Sequence, residues 1–366
     1  MDVSGVPASA GLRFPADLDA WRRWQRGRHA VRRVRDAVRR PAAPSSFALH
    51  VRGADPAVLF ALDAVTPTAL ASVLEPLAHL EDAPVAVIAP ADVSARLPGA
   101  WRVERVDPGE APAALRGVRA VVSAGHFLPV GAAAFTWARA QGWRSLVVQH
   151  GLLTPFMAPL PEGAHLLAFS ARDAEYWRSG RADVTSEVVG SQLLWAASGA
   201  APGAAPGVAP GAAPEGRSST DGPPVFLGQL HGAELPRRIS AATATAFCRA
   251  HGALYRPHPA EVDRLSRWQH ARWRRQGIRF AESGPLSASQ GPVVSIFSTG
   301  VLEAAAAGRD AWVTCVRPPD WVREFWDRYE LSVWGGSATA APARPAVEPA
   351  RAIAGAVLAI AEGGRR

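Results

Sequence analysis

The sequence predicts an α/β protein made of two doubly wound domains facing a cleft. Three observations carry that expectation. Short apolar runs alternate with helical stretches, an Ala/Pro/Gly-rich stretch interrupts the alternation, and the alternation then resumes. Near-continuous apolar runs mark parallel strands buried on both faces. The chain has 366 residues, 48% of them hydrophobic and 20% charged, which is enough for two cores. The expected divisions are a basic N-terminal segment at 1–46, a first domain at 47–195, a linker or disordered loop at 196–224 and a second domain at 225–366.

Composition narrows the function. All 40 Lys+Arg residues are Arg and the net charge is +8. With Ala, Gly and Pro also abundant, the missing Lys reads as codon bias rather than function. A basic balance suits nucleotides, nucleic acid or anionic membranes without choosing among them. The two cysteines, Cys248 and Cys315, are far apart and have no CxxC partner. That argues against a disulfide scaffold or a Cys-based metal site and fits a reducing compartment. No apolar run reaches transmembrane length, and the N-terminus lacks a signal-peptide pattern, so the cytoplasm is the expected location.

Trp21 to Arg40 carries nine Arg against one Asp, with Trp24, Val31 and Val38 spaced by seven and Val34 between. A helix here would have an apolar stripe and a basic face. Packing on the domain is the default reading, contact with an anionic membrane surface the second, and nucleic acid phosphates the third. Val58–Leu62, Val85–Ile88, Val118–Val122 and Ser145–Val148 read as strands. Pro67–Leu80 reads as a helix capped by Thr66 and disturbed near Pro76, and Val130–Gln141 as another. In a parallel sheet, ligands sit at the carboxyl ends of the strands. That rule singles out Gly125-His126 and Gln149-His150-Gly151. His150, directly after a buried strand and before Gly, is a candidate general base. The plain alternative is a ring that bonds a nearby carbonyl and shapes the turn, and for His126 that alternative leads. His165, flanked by apolar residues, reads as structural.

Leu166–Ser170 is a further strand, Ala171–Arg178 a helix capped by Ser170, and Glu187–Ser191 the end of another strand. Beyond the linker, Val225–Gly228, Leu254–Arg256, Val293–Phe297 and Ala311–Thr314 read as strands. Ser240–Ala250 and the basic Trp268–Gln276 read as helices.

Two motifs in this half carry chemistry. In Tyr255-Arg256-Pro257-His258-Pro259, the prolines restrict the backbone on both sides of one His. Such rigidity suits a His held in one pose, and Arg256 or His258 could then neutralise a phosphate leaving group. A Pro-rich loop with an incidental His is the alternative. In Val293–Gly308, a buried strand feeds an Ala- and Leu-rich helix that ends at Gly308. Ser298 or Thr299 is the expected N-cap. Backbone N–H groups, hydroxyls and the positive helix end would meet at Ser298-Thr299-Gly300, an anion site, and Glu303 one turn on could reach a ribose diol. The alternative is an ordinary capped strand–helix unit with an exposed Glu.

Arg-Pro-His-Pro, followed some forty residues later by Phe-Ser-Thr-Gly-x-x-Glu-Ala, resembles the C-terminal domain of GT-B nucleotide-sugar transferases. More narrowly, it is similar to the HP and Ser/Thr motifs of bacterial sialyl- and polysialyltransferases and of CDP-glycerol glycerophosphotransferases. Gln149-His150-Gly151 with Thr154-Pro155 is similar to a His-Gly-Thr-Pro element of the latter. The resemblance spans residues 55 to 335 loosely. It implies two Rossmann-like domains, with 47–195 on the acceptor side and 225–366 binding the nucleotide donor. It implies that His258 contacts the donor phosphate and assists its departure. Ser298, Thr299 and Gly300 would bind the same phosphates beside Arg256, Glu303 would hold the ribose, and His150 would deprotonate the acceptor.

Two departures stand out. No Asp/Glu-Asp-Gly acceptor motif is present, Ser123–His126 sitting where one would be sought, and Leu152-Leu153 separate His150-Gly151 from Thr154. No DxD pair suggests a metal, and no cofactor is implied beyond the donor, a nucleotide-sugar or CDP-alcohol. The acceptor would be a cell-surface glycan or its lipid-linked precursor, met at the inner face of the plasma membrane. A glycerophosphotransferase making teichoic-acid-like polymers, a sugar-nucleotide epimerase or hydrolase, a degenerate scaffold and a nucleic-acid-binding protein are the alternatives. The scattered arginines and the lack of a nucleic-acid-binding signature weigh against the last.

Overall fold

The computed structural model describes residues 11–28, 46–81, 83–199, 222–230, 232, 234–282, 284, 286 and 291–363. Most of the expected linker, and the expected helix beyond Arg28, lie outside these residues. The chain divides into two compact units, Met1–Leu193 with Val347–Arg366, and Leu194–Ala346. The first unit therefore regains the C-terminal residues that the sequence assigned to the second. The Pro349–Gly363 helix explains why, since Ile353, Ala354, Val357 and Ala361 join the core around Val58, Phe60, Val87 and Val122. Gln192 caps this helix, accepting the Ala350 N–H at Oε1 (2.9 Å) and donating from Nε2 to Glu348 (2.9 Å). The Gln192–Gly199 helix also runs past residue 196, where the linker was expected to begin.

The first unit holds an eight-stranded sheet in the order β4-β1-β3-β2-β5-β6-β7-β8. Its strands are β1 (Phe47–Arg52), β2 (Val58–Ala61), β3 (Val85–Ala89), β4 (Arg102–Val106), β5 (Ala120–Ser123), β6 (Arg144–Val148), β7 (His165–Ala168) and β8 (Thr185–Val188). From β3 to β8 neighbouring strands are parallel, as their apolar runs predict. The expected fully parallel sheet needs one correction, because β1 runs antiparallel to β3 and β4. The few residues between Arg52 and Val58 are too short for the crossover of a dozen or more residues that a parallel return requires. Neither β1 nor β4 was read from the sequence. β4, Arg-Val-Glu-Arg-Val, is an exposed edge strand without an apolar run.

Both faces are covered. Val58 and Phe60 point to a core closed by residues 69–80 and the C-terminal helix, while Leu59 and Ala61 point to Val130, Ala134 and Trp137 of the Pro129–Gln141 helix. The expected 67–80 helix starts under the Thr66 cap and passes from α (Pro67–Ala69) to π (Leu70–Leu74) to 3-10 geometry (Glu75–His79). Pro76, lacking an N–H, cannot continue the α ladder. The Leu18–Arg28 helix packs on this unit: Trp21 donates to the Phe156 carbonyl (2.8 Å), and Trp24 stacks on the Phe156 ring at 4.8 Å.

The second unit holds a wholly parallel sheet, β10-β9-β11-β12. It comprises β9 (Val225–Leu227), β10 (Leu254–Arg256), β11 (Val293–Ser295) and β12 (Ala311–Val313). The Arg237–His251, Arg264–Arg275, Gly300–Ala306 and Asp320–Arg328 helices accompany it. The last of these was not read from the sequence. Among the described residues no helix is long and apolar enough to cross a membrane.

Candidate functional site

Parallel strands end on one edge, so β9, β10 and β11 deliver Gly228-Gln229, Arg256-Pro257-His258 and Phe297–Gly300 to the same side of the second sheet. The His258 loop is held by a residue the sequence reading passed over. Glu261 is 4% exposed, and its Oε1 accepts the Leu230 N–H at 2.9 Å. Its Oε2 accepts the Tyr255 hydroxyl at 2.8 Å and pairs with His270 Nε2 at 2.9 Å. Burial alone would raise this carboxyl. The hydrogen bonds from His270, Leu230 and Tyr255 outweigh it and hold Glu261 below the usual carboxylate range. The Tyr255 hydroxyl moves the other way, pushed up by burial and then by the Glu261 charge. One carboxylate thus ties the loop after β10 to the loop after β9 and to the Arg264–Arg275 helix. The fit is close, because a Cβ on Gly228 would lie 2.3 Å from the Tyr255 hydroxyl and 2.7 Å from Glu261 Oε1.

Within that loop His258 is exposed, and its Nδ1 accepts the Ala260 N–H at 3.1 Å, which assigns the ring proton to Nε2. Its neighbours lower its pKa by desolvation, with Glu261 opposing. The ring is therefore a neutral donor at Nε2 near neutral pH.

Glu303, partly buried, lies about one turn into the helix that follows β11. Burial raises its pKa, while the Arg256 and Arg309 guanidiniums pull it down. Arg309, also missed by the sequence reading, donates to the carbonyls of Leu286 (2.9 Å) and Gly291. Its buried Nε has no partner. Burial and the nearby Arg256 lower its pKa. Arg256 donates to the Gly284 carbonyl. Two guanidiniums and one carboxylate thus share a partly desolvated patch in which their charges act on one another.

At the expected anion turn the structure decides between the two expected caps. Ser298 makes the cap, its Oγ accepting the Gly300 N–H at 3.2 Å and its carbonyl the Val301 N–H at 3.1 Å. Thr299 is already helical in backbone and makes no side-chain cap. Gly300 packs closely on β9, a Cβ there lying 2.5 Å from Leu227 Cδ1. Gln229 braces this turn: its Oε1 accepts from Ser295 Oγ (3.1 Å) and from the Phe297 N–H (3.0 Å).

At the carboxyl edge of the first unit, Gln149 is fully buried. Its Oε1 accepts the Phe169 N–H (2.8 Å) and its Nε2 donates to the Gly151 carbonyl (3.0 Å). His150 next to it is partly buried, its Nδ1 has no partner, and burial lowers its pKa. The ring makes no turn-shaping bond through Nδ1, contrary to the plain alternative for it. His126 is buried with an unpartnered Nδ1 and lies edge-on to Phe135 at 5.1 Å. Burial, then Arg22 and Arg181, bring its pKa down to about 4. It lines a cavity of about 540 Å³ with Arg22, Phe135, Arg139, Leu160 and Arg181, and that cavity includes neither His150 nor any predicted residue of the second unit. Asp63, beyond β2, caps the Pro129–Gln141 helix by accepting the N–H groups of Val130 (2.8 Å) and Gly131 (3.0 Å). His165 bonds Thr185 Oγ1 at 2.8 Å. Among the described residues, no group of three or more His, Cys, Asp or Glu is arranged to hold a metal ion.

No protein-family model matches the sequence, and no curated protein does. A solved structure of Arabidopsis thaliana UGT89C1 complexed with UDP is similar over 67% of this chain, at 12% identity and a TM-score of 0.31. The likeness spans 66% of that chain, just under two thirds of its length. At that identity and TM-score it shows neither a family nor a ligand for this chain.

Proposed function

We propose that this chain is a GT-B-type transferase that moves a sugar from a nucleotide donor to a cell-surface glycan or a lipid-linked precursor. The observation that carries the reading is a charged patch in the second unit, which Arg256 enters from the carboxyl end of β10 and Arg309 from the amino end of β12. There Arg256 and Arg309 act on the Glu303 carboxylate, beside a His258 loop locked by Glu261. Guanidiniums match phosphate oxygens, a carboxylate accepts both hydroxyls of a ribose, and a neutral His donates to a leaving phosphate.

In the proposed step the acceptor O–H attacks the anomeric carbon and the bond to the nucleotide phosphate oxygen breaks. His150 takes the acceptor proton. Its depressed pKa keeps it neutral and able to do so. The departing phosphate takes up charge against Arg256 and the Nε2–H of His258, with the Ser298–Gly300 turn beside them. Ser298 reads as a turn-holder first, since its Oγ already accepts an N–H. The same patch would serve a CDP-alcohol donor, with attack at phosphorus. The proposal needs no resident cofactor or metal. Nucleotide-activated donors and two free cysteines fit a cytoplasmic enzyme.

A thermal-shift screen of CMP, CDP, UDP, GDP and their sugar conjugates tests the reading. One base is expected to raise the melting temperature, and His258→Ala is expected to lose transfer while keeping the fold. No stabilisation by any nucleotide, or wild-type turnover by His258→Ala, would overturn it.

A further inference from the structure

The Arg264–Arg275 helix presents two unlike faces. Asp263 caps it, accepting the N–H groups of Leu265 (2.9 Å) and Ser266 (3.1 Å). Ser266, His270 and Trp273 are buried and point inward, His270 onto Glu261 and Trp273 through its indole N–H onto Thr245 (2.8 Å). At 100° per residue, Trp268 falls opposite that inward face, flanked by Leu265, Arg272, Arg275 and Arg264. Trp268 is 54% exposed and Leu265 55%, and Val262 in the preceding turn is 65% exposed. Arg264, Arg267, Arg272, Arg274 and Arg275 are all exposed, and the helix contains no Asp or Glu. The Arg272 guanidinium lies 5.7 Å from the centroid of the Trp268 ring.

Exposed apolar side chains are ordinary when scattered. Here an indole and two aliphatic side chains follow one another at Val262, Leu265 and Trp268, and the helix around them carries five arginines and no counter-charge. We infer that this face docks the protein onto an anionic lipid surface. Trp268 and Leu265 would enter the headgroup boundary, and the arginines would pair with lipid phosphates. Two facts favour lipid over nucleic acid. Phosphate-binding helices need no exposed aliphatics, whereas Val262 and Leu265 gain a dry environment in a bilayer. Arginine beside tryptophan also suits the interface, where a ring sits at headgroup depth and a guanidinium reaches phosphate. The docking face is independent of the nucleotide reading, for it uses neither Arg256, His258 nor Glu303.

The test floats the full-length protein with vesicles of phosphatidylcholine alone or mixed with phosphatidylglycerol. Two variants accompany it, Leu265→Ser with Trp268→Ser, and Arg264→Gln with Arg272→Gln and Arg275→Gln. All five positions are exposed, so the fold is expected to hold, and circular dichroism checks it. The wild type is expected to bind the anionic vesicles and not the neutral ones. Each arginine near such a surface contributes about fivefold, so the triple variant is expected to bind about a hundredfold more weakly. The Leu265/Trp268 variant is expected to lose about tenfold or more, because the protein already buries about half of each side chain and only the rest can leave water. Amide exchange over 262–275 is expected to slow on vesicles. Failure of the wild type to float would overturn the inference, and so would flotation of both variants like wild type, which would place the contact elsewhere, for example in residues 21–40. Loss of RNA-oligonucleotide binding in the arginine variant, with vesicle binding intact, would assign the face to nucleic acid instead. Nucleotide stabilisation measured without vesicles is expected to be equal in all three proteins, so this outcome and that of the transferase reading are separable.

Discussion

In the first unit Gln149 follows β6, and its Oε1 accepts the N–H of Phe169 beyond the neighbouring β7; in the second, Gln229 follows β9 and accepts the N–H of Phe297 beyond the neighbouring β11. Both sheets thus brace adjacent carboxyl-edge loops with one glutamine. What surrounds each brace differs. Gln149 is buried beside His150, and His126 on the neighbouring loop is also buried; both rings are driven toward neutrality by desolvation. Gln229 is partly exposed; Arg256 and His258 stand where the neighbouring β10 ends, and Glu303 stands on the helix after β11, under the charges of Arg256 and Arg309. The first edge therefore offers neutral bases and the second offers charge. Under the proposed transferase reading, the second would take the phosphate-bearing donor and the first would supply the base for the acceptor hydroxyl.

Substitutions sharpen the contrast. Glu261→Ala leaves the Tyr255 hydroxyl, the Leu230 N–H and His270 without their shared acceptor in a buried place. Breaking a buried charged network costs ~3–5 kcal/mol. Amide exchange should accelerate in β9 and β10 and stay unchanged in β5 and β6; equal exchange everywhere would refute the network's role. Acid should instead strike the first unit. His126 titrates at about 4 when folded and at the ordinary 6.5 when unfolded, so its contribution is complete above 6.5 and is lost as pH falls from 6.5 toward 4. That interval amounts to about 3 kcal/mol. His126→Gln should flatten the pH dependence of amide protection in β5; an unchanged slope would locate the acid sensitivity elsewhere. Smaller is the difference between the braces. Gln149→Ala should cost about 2 kcal/mol, since it strips the part-buried Phe169 N–H and Gly151 C=O of a fully buried partner, and Gln229→Ala, at a partly exposed position, about 1 kcal/mol. Urea denaturation of both variants measures the gap, and a reversed order would break the comparison.

The second sheet was the more legible in sequence, and its physics says why. All its strands are parallel and the two central ones, β9 and β11, are fully buried, so Val225–Leu227 and Val293–Ser295 stand out as apolar runs between turn residues. In the first sheet β1 and β4 are antiparallel additions, and β4 alternates charge with valine at an open edge, where no apolar run is needed. Motif spacing put His258 and Glu303 forward, and the fold sets one just after β10 and the other on the helix after β11. Glu261 was not legible, because an acid in a Pro-rich loop reads as solvated until its three buried donors are seen. Arg309 was hidden for a like reason: it follows the helix-ending Gly308, and only the fold brings it near Arg256 and Glu303. The C-terminal helix shows the limit of linear division, since a chain can leave a domain and return to it.

The central claim is that Glu303 holds the ribose of a nucleotide at the second unit's edge. Calorimetric titration of wild type and Glu303→Ala with the nucleoside diphosphate selected by the screen, and with its 2′,3′-dideoxy counterpart, tests it most directly. Removing either the carboxylate or the diol should weaken binding about tenfold or more, the worth of hydrogen bonds to a charged group, and removing both should weaken it no further. Equal affinity of wild type and Glu303→Ala for the ribonucleotide would contradict the claim.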